Sequence, residues 1–168
     1  MSDNEDFDQG DAGSSDCVNV QAGSIKKGGY CMLKGFPCKV TEYSTAKPGK
    51  HGSAKATIVG IDIFTNKKHE DSCPTSHNVQ VPNVTKNEFE VADVDEDNFA
   101  HLILNDGSLK QLKLPVDEDL KAELEKIWNE NHEKAQVYYT IISAKGQEKI
   151  ISGRIKETAW EWSILSKF

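Results

Sequence analysis

The sequence contains no CxxC pair and no apolar run approaching the ~20 residues that cross a bilayer. Its apolar content is low as well: 37% of the 168 residues are hydrophobic and 8% aromatic. The first absence removes the common zinc and dithiol motifs. The four cysteines, Cys17, Cys31, Cys38 and Cys73, stand at uneven spacing. Reduced thiols of a cytosolic protein are expected, with Cys31 and Cys38 packed as small hydrophobes. The second absence predicts a soluble chain with no membrane span. The opening stretch, MSDNEDFDQGDAGSSDC, also lacks the basic start and apolar run of a secretory signal. It holds six acids, no Lys or Arg, and one large apolar residue after Met1, Phe7. Such a segment cannot bury enough surface to offset its ordering entropy, so residues 1–17 read as a disordered acidic tail.

The formal charge of −7 conceals a split. Residues 1–17 carry −6, residues 18–84 carry nine Lys against four acids, and residues 85–168 carry −6. A basic module between acidic ones suits local contact with a polyanion, though a lysine-rich surface can also be mere solvation.

Hydrophobic alternation and turn residues divide the chain near residue 84. Strands are expected over residues 30–33, 36–43, 54–64 and 67–71 and around Val79 and Val81, with Gly60 as a bulge. This pattern suits a small β barrel over residues 18–84, followed by a linker at 82–87. The remainder, residues 85–168, predicts strands over 89–94, 99–104 and 108–114 and a hairpin at Asn105-Asp106-Gly107. One helix over 116–133 carries acids in its first turn and the stripe Leu120, Leu124, Ile127 and Trp128, read as core. Strands over 136–143 and 148–155 follow. Five strands and one helix fit an OB-fold barrel. Trp160 and Trp162 are expected to seal its base.

The stretch KPGKHGSAK, residues 47–55, sets Lys50 at the tip of a glycine-bracketed turn. A phosphate-cradling P-loop is ruled out: His51 replaces the required Ser or Thr, Ser44 replaces the first glycine, and a strand follows instead of a helix. A covalent catalytic lysine would need burial or a strong cationic neighbour to become neutral, and the segment offers no apolar pocket. Two readings stay open on the residues alone. One is a lysine offered outward to a polyanion or a modifying enzyme. The other is an ordinary hairpin with an idle lysine.

Beyond these nine residues, GKHG is followed by AK, GIDIF and EDSCPTSHNVQVP. The segment STAKPGKHGSAKATIVGIDIFTNKKHEDSCPTSHNVQVPNV resembles the eukaryotic translation initiation factor 5A family, relatives of bacterial elongation factor P. The resemblance is dense from Ile25 to Val84 and continues to the C-terminus. It implies an SH3-like barrel followed by an OB-fold, and a non-enzymatic translation factor. It implies that Lys50 becomes hypusine: deoxyhypusine synthase transfers an aminobutyl group from spermidine, and deoxyhypusine hydroxylase hydroxylates it. No bound cofactor is implied. The modified lysine would reach ribosomal RNA and peptidyl-tRNA and support slow peptide bonds such as those between prolines. Lys47, Pro48, Gly49, His51, Gly52 and Lys55 would supply contacts to RNA and to the modifying enzyme. A homodimer, and a cytoplasmic location extending to the nucleus, are further implications. Pro48 and Ser53 stand where many eukaryotic members carry Thr and His, yet the acidic tail and the OB helix favour a eukaryotic-type factor. The alternative is a general RNA-binding module with an unmodified loop.

Other constellations are weaker. His69, Cys73 and His77 recur every four residues, but Pro74 interrupts them and a fourth ligand is missing, so no metal is expected. Asp62 lies among apolar strand residues and reads as a surface or hydrogen-bonded aspartate, not an acid catalyst. Lys86, Lys110 and Lys113 are candidate tRNA contacts on the second half.

Overall fold

Among the described residues, eleven strands and one α-helix account for most of the chain. The computed structural model describes residues 16–47 and 54–156. The chain forms two units, each with its own core; the main division falls after Val84, and residues Ala144–Gln147 group with the first unit.

The first unit begins with β1 (Cys17–Gln21). This corrects the sequence expectation, which placed Cys17 in a disordered tail. Cys17 is buried and pairs with Pro82, and Asp16 accepts a hydrogen bond from the Asn83 N–H at 2.9 Å. The ordering comes from a strand 60 residues away, which local composition does not register. After a short 3-10 turn come β2 (Tyr30–Leu33), β3 (Phe36–Ala46), β4 (Lys55–Asp62), β5 (Lys68–Pro74) and β6 (Asn78–Pro82). β2, β3, β4 and β5 form one antiparallel sheet in that order, and β1 pairs with β6. Ile25, Cys31, Leu33, Cys38, Val40 and Ile58 fill the space between, with Val20, Val79 and Val81 packed against them. Both core thiols are fully buried, as expected, and burial pushes each up to about 11.

Gly60 does not form a bulge. It sits in regular register between Val40 and His69, and the irregularity lies across from it, between Val40 and Glu42 on β3. The glycine answers a packing need instead. A Cβ there would lie 2.9 Å from Cys38 Cβ and from the Lys39 carbonyl, and 3.0 Å from Leu33 Cδ1. No side chain fits without moving backbone.

The expected linker is shorter than its composition suggested, because Pro82 closes β6 and Thr85 already opens β7. The second unit runs β7 (Thr85–Val94), β8 (Phe99–Ile103), β9 (Leu109–Lys113), α1 (Glu118–Asn131), β10 (Gln136–Ala144) and β11 (Gln147–Lys156). Its five strands order as β11-β10-β7-β8-β9. With the helix inserted between β9 and β10, this is the OB-type arrangement the sequence predicted. The helix stripe is core, as expected: Leu124 is fully buried and Leu120, Ile127 and Trp128 pack beside it. Asp117 does not cap the helix with its side chain; its carboxylate takes the Lys149 ammonium of β11 at 2.6 Å. Tyr139 on β10 donates to the Leu124 carbonyl at 2.7 Å and ties sheet to helix.

In the β8–β9 hairpin only Gly107 takes positive φ, while Asp106 accepts hydrogen bonds from the Ser108 amide and hydroxyl. The β7–β8 turn is held by Asp95, which the sequence did not single out. Its carboxylate accepts the Asp97 and Phe99 amides at 2.9 and 3.0 Å and meets His101 Nε2 at 2.8 Å. The Phe99 N–H foremost, then His101, hold the Asp95 carboxyl below the usual carboxylate range.

Three outcomes follow from these contacts. Gly60→Ala lowers stability by about 1–3 kcal/mol in urea unfolding, since the added methyl meets backbone. Tyr139→Phe costs about 1–2 kcal/mol, because the Leu124 carbonyl loses a buried donor. The depressed Asp95 group adds stability above its unfolded pKa of roughly 3.9, and that stability is lost as pH falls through the lower folded value. The melting temperatures of the parent and Asp95→Asn therefore differ at pH 7 and converge on acidification.

Candidate functional site

Ala56 to Asp62 carry the β-branched content that makes β4 a core strand: Ile58 joins the core cluster, and Val59 and Ala56 are buried as well. β3 accompanies this strand outward for three residues beyond the expected end at Tyr43. Ser44 pairs with Thr57, Thr45 with Ala56, and Ala46 with Lys55. Ser44, Thr45 and Ala46 are all exposed. The extension therefore depends on cross-strand hydrogen bonding rather than burial, and hydrophobic alternation alone could not reveal it.

The two strands of this arm are braced unequally. On the β4 side, β5 runs alongside with Lys55 opposite Pro74 and Ala56 opposite Cys73. The Thr57 and Ser72 hydroxyls lie 3.1 Å apart, and the Thr75 amide donates to the Ala54 carbonyl at 2.9 Å. On the β3 side the outer residues face water. A two-stranded arm alone is marginal in water, so the third strand stiffens the stem up to its last described rung.

Lys47, one residue past the end of β3, and Lys55, the first residue of β4, stand at that end, both exposed. Neither has a carboxylate within ion-pair distance among the described residues. Two of the expected contact residues thus lie at the same end of the arm, Lys55 on its last described rung and Lys47 next to Ala46 of that rung. Pro48, Gly49, Lys50, His51 and Gly52 lie outside the described residues, as do Ser53, Trp160 and Trp162.

The remaining candidates take structural roles. Asp62 is 2% exposed, and its Oδ1 accepts the Phe64 amide at 2.8 Å and the Thr65 amide at 3.4 Å. This is the hydrogen-bonded aspartate expected, closing the β4–β5 turn. His69 stacks on Phe36, with ring centroids 4.6 Å apart. Among the described residues no group of three or more His, Cys, Asp or Glu side chains gathers as a metal site would. Cys73 is half-buried, and its thiol is pushed up by burial and by the Asp71 charge. It stays protonated near neutral pH and makes a poor nucleophile. Lys110 is engaged with Glu148 at 2.6 Å, while Lys86 and Lys113 are exposed. One feature escaped sequence reasoning. The hydroxyl of Tyr43, on β3, is buried without a hydrogen-bond partner among the described residues, and nothing in the local sequence signals it.

What the arm can offer chemically is cationic side chains on a stiff stem, with no nucleophile–base pair beside them among the described residues. Comparison with known proteins agrees with that architecture. Residues 15–77 match the family model described as translation initiation factor 5A-like, N-terminal. Residues 83–154 match the one described as eukaryotic elongation factor 5A hypusine, DNA-binding OB fold. The chain is 47% identical to eukaryotic translation initiation factor 5A-3 of Arabidopsis thaliana over 152 residues, covering 89% of this chain and 94% of that one. It is 41% identical to the factor 5A of Spodoptera frugiperda over 155 residues, covering 90% and 94%. Among solved structures, a translation initiation factor 5A family protein from Naegleria fowleri superposes with a TM-score of 0.75 at 46% identity, covering 83% of this chain and 99% of that one. The factor 5A from Methanococcus jannaschii gives 0.63 at 32% identity, covering 83% and 95%. With two family models tiling both units and relatives matched over nearly their full length, the chain belongs to the translation initiation factor 5A family of translation factors.

Proposed function

We propose that this chain acts on the ribosome through Lys50, presented at the end of the β3–β4 arm and converted to hypusine. The observation that carries the reading is the Ala46–Lys55 rung. It ends a braced ladder with the exposed, unpaired cations Lys47 and Lys55 immediately at the root of the GKHG turn. Deoxyhypusine synthase would move the aminobutyl group of spermidine to the Lys50 amine, and deoxyhypusine hydroxylase would add the hydroxyl. The product is a longer side chain with a second basic nitrogen. RNA attracts such a group strongly, with affinity that falls as salt rises. Placed beside the acceptor end of peptidyl-tRNA, it would steady the tRNA while a slow peptide bond forms, as between prolines, in elongation and termination. The chemistry remains the ribosome's; this chain contributes positioning.

The other expected contacts divide by place. Lys47, Pro48, Gly49, His51, Gly52 and Lys55 would meet RNA on the ribosome and the synthase before modification. The basic barrel over residues 18–84 would carry the loop, and the acidic OB domain over residues 85–168 would add tRNA contacts through Lys86 or Lys113. Lys110 is less suited, being paired to Glu148. The site of action is the cytoplasm. Self-association into a homodimer is compatible with this role.

Two measurements test the proposal together. Intact-mass analysis of the Lys50 peptide from native cells should show the gain of an aminobutyl group and one oxygen. In reconstituted translation, Lys50→Arg keeps the charge but removes the site of extension. It should slow synthesis across a proline run by about tenfold or more, equal to ~1.4 kcal/mol of lost transition-state positioning. Unmodified protein that is fully active would favour a general RNA-binding module with a bare basic loop.

A further inference from the structure

A groove of about 370 Å³ opens on the first unit. Half-buried Met32, Cys73 and Val79 give it an apolar lining, and Lys34, His77 and Asp71 stand at its border. It runs beside two strand edges: among the described residues, β5 pairs only with β4, and β6 only with β1.

We propose that this groove takes the chain's own acidic segment, residues 1–15, with Phe7 in the apolar lining and the neighbouring carboxylates toward Lys34. Connectivity supports this occupant. The segment joins the fold at Asp16, whose carbonyl is bonded to Asn83, and Cys17 pairs with Pro82 at the end of β6. Gln80 of the same strand lines the groove, two residues and roughly 7 Å away along β6. Phe7 lies nine residues before Asp16 and can reach roughly 30 Å, several times that distance. Charge supports it as well. Residues 1–15 carry five acids and no base, whereas residues 18–84 carry nine Lys against four acids. Asp71 at the border disfavours carboxylates on the β5 side, which leaves Lys34 as their partner. Phe7 is the segment's only aromatic residue, and burying one such ring is worth roughly 1.5–3 kcal/mol before ordering costs. Tethering raises the local concentration of the segment to the millimolar range, so a weak contact suffices. The contact would neutralise part of the basic unit and so tune its attraction to polyanions. It does not depend on Lys50.

Cys73 reports on the groove directly. It lines the groove and is half-buried, whereas Cys17, Cys31 and Cys38 are buried and serve as internal controls. The experiment is site-resolved alkylation of the full-length protein by iodoacetamide. Phe7→Ala should raise the Cys73 rate by about threefold or more, as expected when a mostly occupied site is freed. Phe7→Leu should stay near the parent, and about 0.5 M NaCl should accelerate the parent by screening the carboxylates. A Cys73 rate that Phe7→Ala leaves unchanged overturns the proposal. So does a rate that falls with protein concentration equally in parent and variant, which would assign the groove to a second copy of the chain.

Discussion

Eight cross-strand pairs join β3 to β4, from Cys38–Asp62 in the core to Ala46–Lys55 at the exposed end. The inner rungs are fixed by packing. Cys38, Val40 and Ile58 are almost wholly buried, and Gly60 lets β4 approach Cys38 and the Lys39 carbonyl closer than any side chain allows. The outer rungs have little burial to hold them, yet they inherit register from the inner ones, because a strand that slips by one residue turns every side chain to the opposite face. The same interaction therefore builds the core of the first unit and sets the register of the arm as far as its last described rung, Ala46–Lys55. A close backbone contact is a stringent way to set direction, since it tolerates no compensating shift.

The electrostatics of the chain separate by role. Interior thiols are kept neutral by burial, and the buried Asp62 is satisfied by backbone amides, so the first core holds no unpaired polar group at that turn. In the second unit, charges are matched locally. Lys149 meets Asp117, Lys110 meets Glu148, and Arg154 meets Glu88 through two nitrogens while its guanidinium lies over Tyr138. At the arm the pattern reverses, with Lys47 and Lys55 exposed and unmatched among the described residues. Surface pairs of the first kind add little to stability. Cations left without acids remain available to an external polyanion.

Fold class was legible because periodicity and turn residues agree. Lys34-Gly35 and Lys145-Gly146 each take positive φ at both positions, the geometry of two-residue hairpins, and both lie where the sequence placed turns. The helix stripe around Leu124 was equally plain. What was misread shares one cause. Cys17, Asp16 and Thr85 looked like tail or linker because their partners are distant in sequence, and Gly60 looked like a bulge because a packing clash with Leu33 and Cys38 leaves no local trace. Asp95 was passed over in an acidic run, though it alone there gathers two amides and an imidazole.

The sequence by itself determined the alternation that makes strands, the spacing that makes the helix, the charge segregation, and the GKHG motif with the residues that identify its family. These are properties of neighbours along the chain. Only the tertiary structure decided how far the β3–β4 arm extends, why residue 60 must be glycine, which lysines are matched by acids, and that Cys73 and Val79 share a groove with Lys34. Each of these is set by a contact between distant segments, whose energy exists only once both are brought together.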